Sequence, residues 1–287
     1  MSKLANDHIL TLSCPDKPGI VHAVTGIFAR EGLNILDLQQ FSDPVSEKFF
    51  MRVHFGPTPT PDITYLREGF NTLAAQYAPM TYDIRPTAQK TRVLIMVSKI
   101  GHCLNDLLFR AKTGQLPIDI PVIVSNHPDF APLATSYGIE FRHLPVTKDT
   151  KAAQEAQILE LVRQHDVELV VLARYMQVLS PTLCEAMSGK IINIHHSFLP
   201  SFKGAKPYHQ AYERGVKIIG ATAHFVTADL DEGPIIEQRV ARVDHGMNPN
   251  QLVDEGSNVE SNVLAAAVKW YAERRLFLNN TKTVVFS

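Results

Sequence analysis

The sequence is poor in cysteine and has no strong excess of either charge. Its 287 residues include only three cysteines, none of them in a C-x-x-C pair, which argues against a disulfide framework and against a zinc-thiolate site. The formal net charge is -1 and no Lys/Arg run stands out, so we expect no surface for nucleic acid or an anionic membrane. The cysteines are Cys14, Cys103 and Cys184.

Long apolar segments are missing as well. The first residues, MSKLANDH, lack the apolar core of a signal peptide, and no stretch approaches the roughly 18 continuous apolar residues of a membrane span. We therefore expect a cytoplasmic protein. The chain has no internal repeat or low-complexity tract, and 45% of its residues are hydrophobic. Its length suits about two domains with sizeable cores.

Residues 1–85 show strand and helix patterns in the order βαββαβ, which is typical of a ferredoxin-like fold. Apolar residues recur at helical spacing after Pro18 and again after Pro61, and they alternate with polar residues between Phe49 and Phe55. The stretch LSCPDKPGIVHAVTGIFAREGLNI resembles the ACT domain, a small regulatory module that binds ligands. The sequence therefore predicts an ACT-like regulatory domain over residues 1–85.

The resemblance to ACT domains implies an amino-acid site in the turn after the first strand. The candidate effector-binding residues are then Asp16, Gly19 and Ile20, and the candidate effectors are methionine and glycine. An ordinary turn and helix start would also explain Asp16 and Gly19. A four-stranded sheet of this kind has edges that a second copy could cover, so we expect a homo-oligomer, either a dimer or a tetramer.

Residues 86–91 have the polar, proline-bearing character of a linker, and the pattern changes beyond them. Short, continuous apolar runs such as Val93–Val97 and Leu169–Ala173 are typical of strands buried on both faces of a parallel sheet. Helical stretches lie between them, which predicts a doubly wound, mostly parallel α/β domain over residues 92–287. The stretch Asn250–Phe277, near the C-terminal end of this domain, is predicted to form one long helix.

The most informative segment of this domain is the strand Ile191–Ile194 with the polar residues at its end. Asn193 and His195 are two residues apart, so they share one face of the strand. They lie at its carboxyl end, where open α/β sheets bind their ligands. An amide N–H and an imidazolium N–H can together stabilise an oxyanion. Taken alone, the pair is equally compatible with two polar residues at a strand end.

Two motifs extend this observation: the loop SFLPSFKG follows the strand, and HFVTADLDEG comes later in the chain. Together with N-I-H they resemble the folate-dependent formyltransferase family, which implies that the catalytic residues are Asn193, His195 and Asp231. Asp231 either accepts a proton from the nucleophile or holds His195 in its active protonation state. His196 is expected to point away from His195, and His224 to support the site.

The resemblance also implies a folate site along the segment after the apolar run LVVLA and in the turn before Asp231. The candidate folate-binding residues are Tyr175, Met176, Gln177, Val178, Leu179, Thr227 and Asp229. A basic residue is common in the family where Gln177 stands, and core packing would also explain the apolar members of the set. Neither a metal nor a cofactor is expected, because the histidine spacing fits no zinc motif.

The nature of the acceptor depends on the loop after the first strand of this domain, SKIGHCLNDLL. Family members that formylate glycinamide ribonucleotide have a loop rich in small residues here, which surrounds a phosphate. In the loop of this chain only Gly101 is small enough for close approach to a phosphate, so no phosphorylated amine is well accommodated and water remains as the nucleophile. Over essentially its whole length the chain resembles the formyltetrahydrofolate deformylases.

That resemblance implies hydrolysis of 10-formyltetrahydrofolate to formate and tetrahydrofolate. The reaction would supply formate and balance the one-carbon pools used in purine biosynthesis. Two alternatives remain at this stage. One is a formyltransferase that acts on an amine, and the other is a protein that senses folate or amino acids without turnover.

Overall fold

The structure is a computed structural model that describes residues 7–56, 63–197 and 207–287. The chain forms two compact units. The first contains Met1–Lys90, Glu273–Asn279 and Thr283–Ser287, and the second contains Thr91–Ala272 and Asn280–Lys282. Among the described helices, none is both long and apolar enough to cross a membrane. All three cysteines are buried and free.

The first unit has the predicted βαββαβ order. Its strands form an antiparallel sheet in the order β2-β3-β1-β4. The elements are β1 (His8–Pro15), α1 (Ile20–Arg30), β2 (Asn34–Asp43), β3 (Lys48–Gly56), α2 (Ile63–Gln76) and β4 (Thr81–Pro86).

The core of the first unit lies between the sheet and its two helices. Helix α1 buries Val24 and Phe28, and the Phe28 ring lies 4.8 Å from that of Phe55 on β3. The helix begins directly after Gly19, whose φ of 91° lies in the region that glycine adopts most readily. The apolar residues whose spacing predicted α1 are therefore the residues that face the sheet.

The second unit is built on a seven-stranded sheet in the order β11-β10-β9-β8-β5-β6-β7. Strands β5 to β9 run parallel to one another. Strand β10 pairs antiparallel with β9 on one side and with β11 on the other. The elements are β5 (Thr91–Val97), α3 (His102–Lys112), β6 (Ile118–Ser125), α4 (Ala131–Ser136), β7 (Glu140–His143), α5 (Lys151–Gln164), β8 (Leu169–Leu172), α6 (Pro181–Ala186), β9 (Ile191–His195), α7 (Pro207–Glu213), β10 (Ile218–Phe225), β11 (Ile235–Arg242) and α8 (Pro249–Ala272).

The topology of the second unit confirms the doubly wound α/β prediction. The chain moves outward from β5 through β6 to β7, then returns to the other side of β5 with β8 and β9. This reversal creates a switch point between β5 and β8, where loops leave in opposite directions and open a crevice. The residues of β5 from Val93 to Val97 are fully buried, as the continuous apolar run predicts.

The end of the chain differs from the prediction. The last helix stops at Ala272 rather than Phe277, and a hairpin follows, formed by β12 (Leu276–Asn279) and β13 (Lys282–Val285). Of the residues after Ala272, all except Asn280–Lys282 belong to the first unit, although the expected range 92–287 grouped them with the second. Arg274 has a φ of 55°, and a left-handed residue ends a helix without any glycine to signal it.

The hairpin covers a face of the first sheet. Phe277 packs edge-on against Phe50 of β3, with the ring centroids 5.7 Å apart. The guanidinium of Arg52 donates to the Glu273 carbonyl over 3.3 and 3.2 Å. Arg52 is 4% exposed, so this carbonyl satisfies a cation that would otherwise be costly to bury. The sheet therefore has a helical face and a second face that the C-terminal segment protects.

Candidate active site

Strands β9 and β10 position the polar residues of the site. They pair antiparallel, with Asn193 opposite His224 and His195 opposite Thr222. The pairing of β10 with β11 shifts register between Ala223 and His224, and such a bulge changes the direction of the side chain beside it. His224 is 2% exposed, so the bulge directs a buried imidazole at the end of β9.

The turn after β10 carries Asp231 back to this point. Asp231 has a φ of 58°, a left-handed conformation that aspartate and asparagine adopt more readily than most residues. Two residues later, a Cβ on Gly233 would lie 1.7 Å from the Phe225 carbonyl oxygen. Only glycine allows so close an approach. Gly233 therefore lets the turn fold tightly against β10.

Four polar side chains meet as a result. His195 Nδ1 lies 3.3 Å from Asp231 Oδ2, and His224 Nε2 lies 3.6 Å from Asp231 Oδ1. Asn193 Nδ2 is 3.3 Å from His224 Nε2. The predicted Asn, His and Asp thus come together, and His224 contacts two of the three.

The protonation states of the site follow from these partners. Hydrogen bonds from His195 and from His224 hold the pKa of Asp231 well below its usual range, although burial opposes them. Asp231 is therefore a carboxylate, and the facing Nδ1 of His195 carries a proton. His224 Nδ1 lies 2.8 Å from the Phe225 carbonyl oxygen, which can only accept. His224 Nδ1 thus donates to this carbonyl, and Nε2 faces both Asp231 Oδ1 at 3.6 Å and Asn193 Nδ2 at 3.3 Å.

His196 departs from the expectation that it points away from its neighbour. Its ring stacks on that of His195, with centroids 4.8 Å apart and an interplanar angle of 18°. The alternation of side chains does not apply, because β9 ends at His195. Burial, together with the charges of Arg174 and His195, lowers the pKa of His196 to about 4. His196 therefore presents a neutral ring to His195.

The polar residues line a cavity of about 220 Å³. All ten residues predicted as catalytic or folate-binding are in its wall. Arg174, Ala228 and Leu230 also line it and lie within the two predicted folate-binding segments, whereas sequence reasoning assigned no role there to Leu172, Ile194 and Val226. Met176, Val178 and Leu230 are 58%, 55% and 65% exposed, so part of the wall is an open apolar surface. Tyr175 and Leu179 are buried and belong also to the core.

Hydrogen bonds fix the segment between β8 and α6 that forms one side of the cavity. The Met176 N–H donates to Ser98 Oγ over 3.0 Å, and the Ser180 N–H donates to Glu155 Oε1 over 2.9 Å. Ser98 also donates to Asn126 Oδ1 over 2.8 Å. These anchors come from distant parts of the chain, and no local pattern signals them. They hold the backbone rigidly against the cavity.

The other predicted residues have mixed placements. In the first unit, Asp16 and Gly19 are exposed in the turn after β1, but Ile20 is 2% exposed and packs in the core. Ile20 therefore offers almost no accessible surface to an effector. Of the loop SFLPSFKG, only Ser197 is among the described residues, and the rest of that motif lies outside them.

Comparisons with known proteins agree with this geometry. The family model described as formyl transferase matches residues 91–268, and the ACT domain model matches residues 8–64. A formyltetrahydrofolate deformylase from Corynebacterium sp. (strain P-1) is 54% identical over 279 residues, covering 97% of each chain. The chain belongs to the formyltetrahydrofolate deformylase family.

Solved structures agree with this membership. The formyltetrahydrofolate deformylase from Burkholderia mallei aligns with a TM-score of 0.95 at 55% identity, covering 98% of this chain and 100% of that one. Glycinamide ribonucleotide transformylase 1 from Symbiobacterium toebii aligns with a TM-score of 0.65 at 30% identity, covering 71% of this chain and 97% of its own. The predicted combination of an ACT domain and a formyltransferase domain is confirmed.

Proposed function

We propose that this chain hydrolyses 10-formyltetrahydrofolate to formate and tetrahydrofolate. The observation that carries the proposal is the meeting of Asn193, His195 and Asp231 in one cavity of about 220 Å³. The deformylase family supplies the reaction, because relatives at 54% and 55% identity share both domains of the chain. The site supplies the groups that such a reaction needs.

Asn193 and His195 would bind the oxygen of the formyl group. Asp231 accepts from Nδ1 of His195, with 3.3 Å between the atoms, which leaves Nε2 as the ring nitrogen for the substrate. With Nδ1 held by the carboxylate, an Nε2–H of His195 can donate to the developing oxyanion together with an Asn193 N–H. Loss of one such donor typically lowers the rate by about 100 to 1000-fold.

Asp231 would act mainly by holding His195 and orienting water. Its two oxygens lie 3.3 Å and 3.6 Å from imidazole nitrogens, and its pKa is lowered. A carboxylate of low pKa is a weak base, so it is better suited to accept hydrogen bonds from His195 and water than to abstract a proton. Water attacks the formyl carbon, and its proton is finally transferred to N10, which leaves as the amine of tetrahydrofolate.

The folate would lie along the segment from Arg174 to Leu179. The exposed Met176 and Val178 offer apolar surface to a flat ring, and Gln177 lies between them. Because Ser98 fixes the backbone at Met176, the peptide groups of this segment are preorganised for hydrogen bonds to a pterin. Thr227 and Asp229 would contact the other side of the ligand from the turn before Asp231.

The proposal also covers the cellular setting. The formate would supply one-carbon metabolism and purine biosynthesis, and the buried free cysteines suit a reducing cytoplasm. Methionine or glycine would bind at the turn of Asp16 and Gly19. Leu36 and Phe41 on the edge strand β2 are 50% and 43% exposed, which favours pairing with a second copy in a dimer or tetramer.

One experiment tests the central proposal. The purified protein is incubated with 10-formyltetrahydrofolate alone, and formate and tetrahydrofolate are measured. We expect one formate for each tetrahydrofolate without any amine present. A formyltransferase would release product only when a suitable amine is added and would yield a formylated amine. A sensor would bind the folate and release nothing, so either result would reject hydrolysis.

A further inference from the structure

A buried carboxylate occupies the crevice at the switch point of the second unit. The loops after β5 and β8 meet there, and the Ser98 N–H donates to the Arg174 carbonyl over 3.3 Å. Open α/β sheets bind ligands in such a crevice. In this chain, helix α8 places Glu260 there, and its side chain is 1% exposed.

Glu260 has three partners from separate parts of the chain. Its carboxylate accepts from His102 Nε2 over 2.8 Å and from the Tyr208 hydroxyl over 2.7 Å, and it lies 3.5 Å from Arg174 Nη1. Burial raises the pKa of Glu260, but these three groups more than offset it, so the pKa is lower than usual. The crevice therefore contains a permanent negative charge at neutral pH.

The packing around this charge is specific. A Cβ on Gly256, one turn before Glu260 on α8, would lie 2.1 Å from the Tyr208 ring. Glycine at this position thus allows the Tyr208 hydroxyl to reach the carboxylate. His102 is the first residue of α3, so its side chain links the carboxylate to the start of that helix.

We propose that Glu260 determines the acceptor of the reaction, because its carboxylate already occupies the Arg174 guanidinium that could otherwise bind the phosphate of an anionic amine, which leaves water as the nucleophile. This inference rests on the proposed hydrolysis and extends it. The Symbiobacterium transformylase shares the fold at 30% identity, and its named substrate is a ribonucleotide, a phosphate ester. Two anions in one desolvated crevice repel each other strongly, since the local dielectric constant is low.

A metal ion is a weaker explanation of the same cluster. Ligand atoms of His102, Cys103 and Glu260 lie within 4.8 Å of one another. However, Arg174 already places a positive charge beside the carboxylate. Burial also raises the pKa of the Cys103 thiol strongly, with a further contribution from the charge of Glu260, which disfavours the thiolate that a metal needs.

The variant Glu260→Gln tests the proposal because it keeps the size of the side chain and removes the charge. It leaves the Arg174 guanidinium without its carboxylate partner, and a guanidinium attracts phosphate. We therefore expect inorganic phosphate to raise the melting temperature of Glu260→Gln by about 2 to 4 °C at roughly ten times its dissociation constant. The wild type should not respond. An unresponsive Glu260→Gln protein that melts cooperatively would overturn the proposal.

Two control variants separate charge from packing. Tyr208→Phe removes a hydrogen bond to Glu260 but keeps its charge, so it should remain unresponsive to phosphate. Glu155→Gln changes another buried glutamate of the same unit, 6% exposed, that bonds to Ser180 outside the crevice, and it should also remain unresponsive. A phosphate response in either control would contradict the assignment to Glu260.

A second measurement needs no variant and applies if Glu260→Gln does not fold. In the wild type, inorganic phosphate should not compete with 10-formyltetrahydrofolate at matched ionic strength, and competitive inhibition would overturn the proposal. Phosphate binding is measured without folate, so it is independent of turnover. If the wild type releases no formate, the proposed function fails instead, and the two failures are distinguishable.

Discussion

Two residues with left-handed backbone lie on opposite walls of the cavity. Arg174 and Asp231 have φ values of 63° and 58°, and such a conformation costs a non-glycine residue about 1 kcal/mol or more. Neighbouring contacts maintain both: the Ser98 N–H donates to the Arg174 carbonyl, and Gly233 closes the turn of Asp231 against Phe225. The surrounding contacts therefore stabilise a strained backbone at the two turns that position Arg174 and Asp231.

Substitution of the site residues should separate turnover from binding. We expect Asp231→Asn and His195→Ala each to lower kcat by about 1000-fold, because both groups act mainly on the transition state. Asparagine tolerates the left-handed backbone of Asp231, so the turn should persist and the folate dissociation constant should change little. Asn193→Ala should lose about 100-fold.

The matched control for these variants is Glu232→Gln, which neutralises the exposed acid next to Asp231. It should keep most of the turnover. Formate release and equilibrium binding of the folate give the two readouts. Near-normal kcat in Asp231→Asn, or an equal loss in Glu232→Gln, would contradict the assigned roles.

His196 should make the stability of the fold depend on pH. Its pKa is about 4 in the folded chain and about 6.5 in an unfolded one. Between these values the unfolded chain binds a proton that the folded chain does not, so the free energy of unfolding falls as the pH is lowered through this window. Relative to His196→Gln, the wild type should lose about 2 kcal/mol between pH 7 and pH 4.5. Urea denaturation measures this, and parallel pH curves would refute it.

At the scale of elements, the C-terminal hairpin is a structural part of the first unit. Phe277→Ala removes the ring that packs on Phe50 and should lower the free energy of unfolding by about 2 to 3 kcal/mol. The neighbouring Leu278 is 44% exposed, so Leu278→Ala should change it by less than about 0.5 kcal/mol. Chemical denaturation compares the two variants. Equal effects would mean that the hairpin does not depend on this contact.

At the scale of the whole molecule, the two units should be separable. The second unit has its own sheet and core, so a chain of residues 91–272 should fold and release formate at a reduced rate. Removal of residues 1–90 alone would leave Phe277 and Phe286 without the sheet they cover, and should promote aggregation. Sedimentation and circular dichroism compare the two forms. An unfolded 91–272 fragment would show that the units are interdependent.

Regulation belongs to the same scale. If the turn of Asp16 binds methionine or glycine, the response of formate release to these amino acids should disappear in residues 91–272 and weaken in Asp16→Ala, because an effector acts through differential affinity for two states. Asp16→Ala should keep its basal turnover. A full response in the shortened chain would show that the amino-acid site lies outside the first unit. No response in the intact chain would indicate that the first unit serves in assembly rather than in regulation.

The reaction should also proceed without a metal. Asp231 is engaged by two imidazoles, and His224 Nδ1 donates to a backbone carbonyl, so the polar groups of the site already satisfy one another. Turnover should therefore survive prolonged chelation followed by desalting. The control is a zinc-dependent hydrolase treated in parallel. Lost activity that added zinc restores would refute the mechanism.

The sequence by itself predicted the order of elements in the first unit and three residues, Asn193, His195 and Asp231, that the structure brings together in one cavity. Both depend on short-range regularities: Asn193 and His195 share a face because a strand repeats every two residues, and apolar spacing identifies β1 and α1. Asp231 was identified through a ten-residue motif. Such features can be recognised in the sequence because each involves only a few neighbouring residues.

The contacts between residues that are far apart in the sequence were determined only by the tertiary structure. Glu260 meets His102 and Arg174, which are 158 and 86 positions away, and Ser98 fixes Met176 across 78. The hairpin of Phe277 covers a sheet at the other end of the chain. The stacking of His195 on His196 depends on where β9 stops. No periodicity encodes these contacts, because burial and close packing select partners by distance in space rather than by separation along the chain.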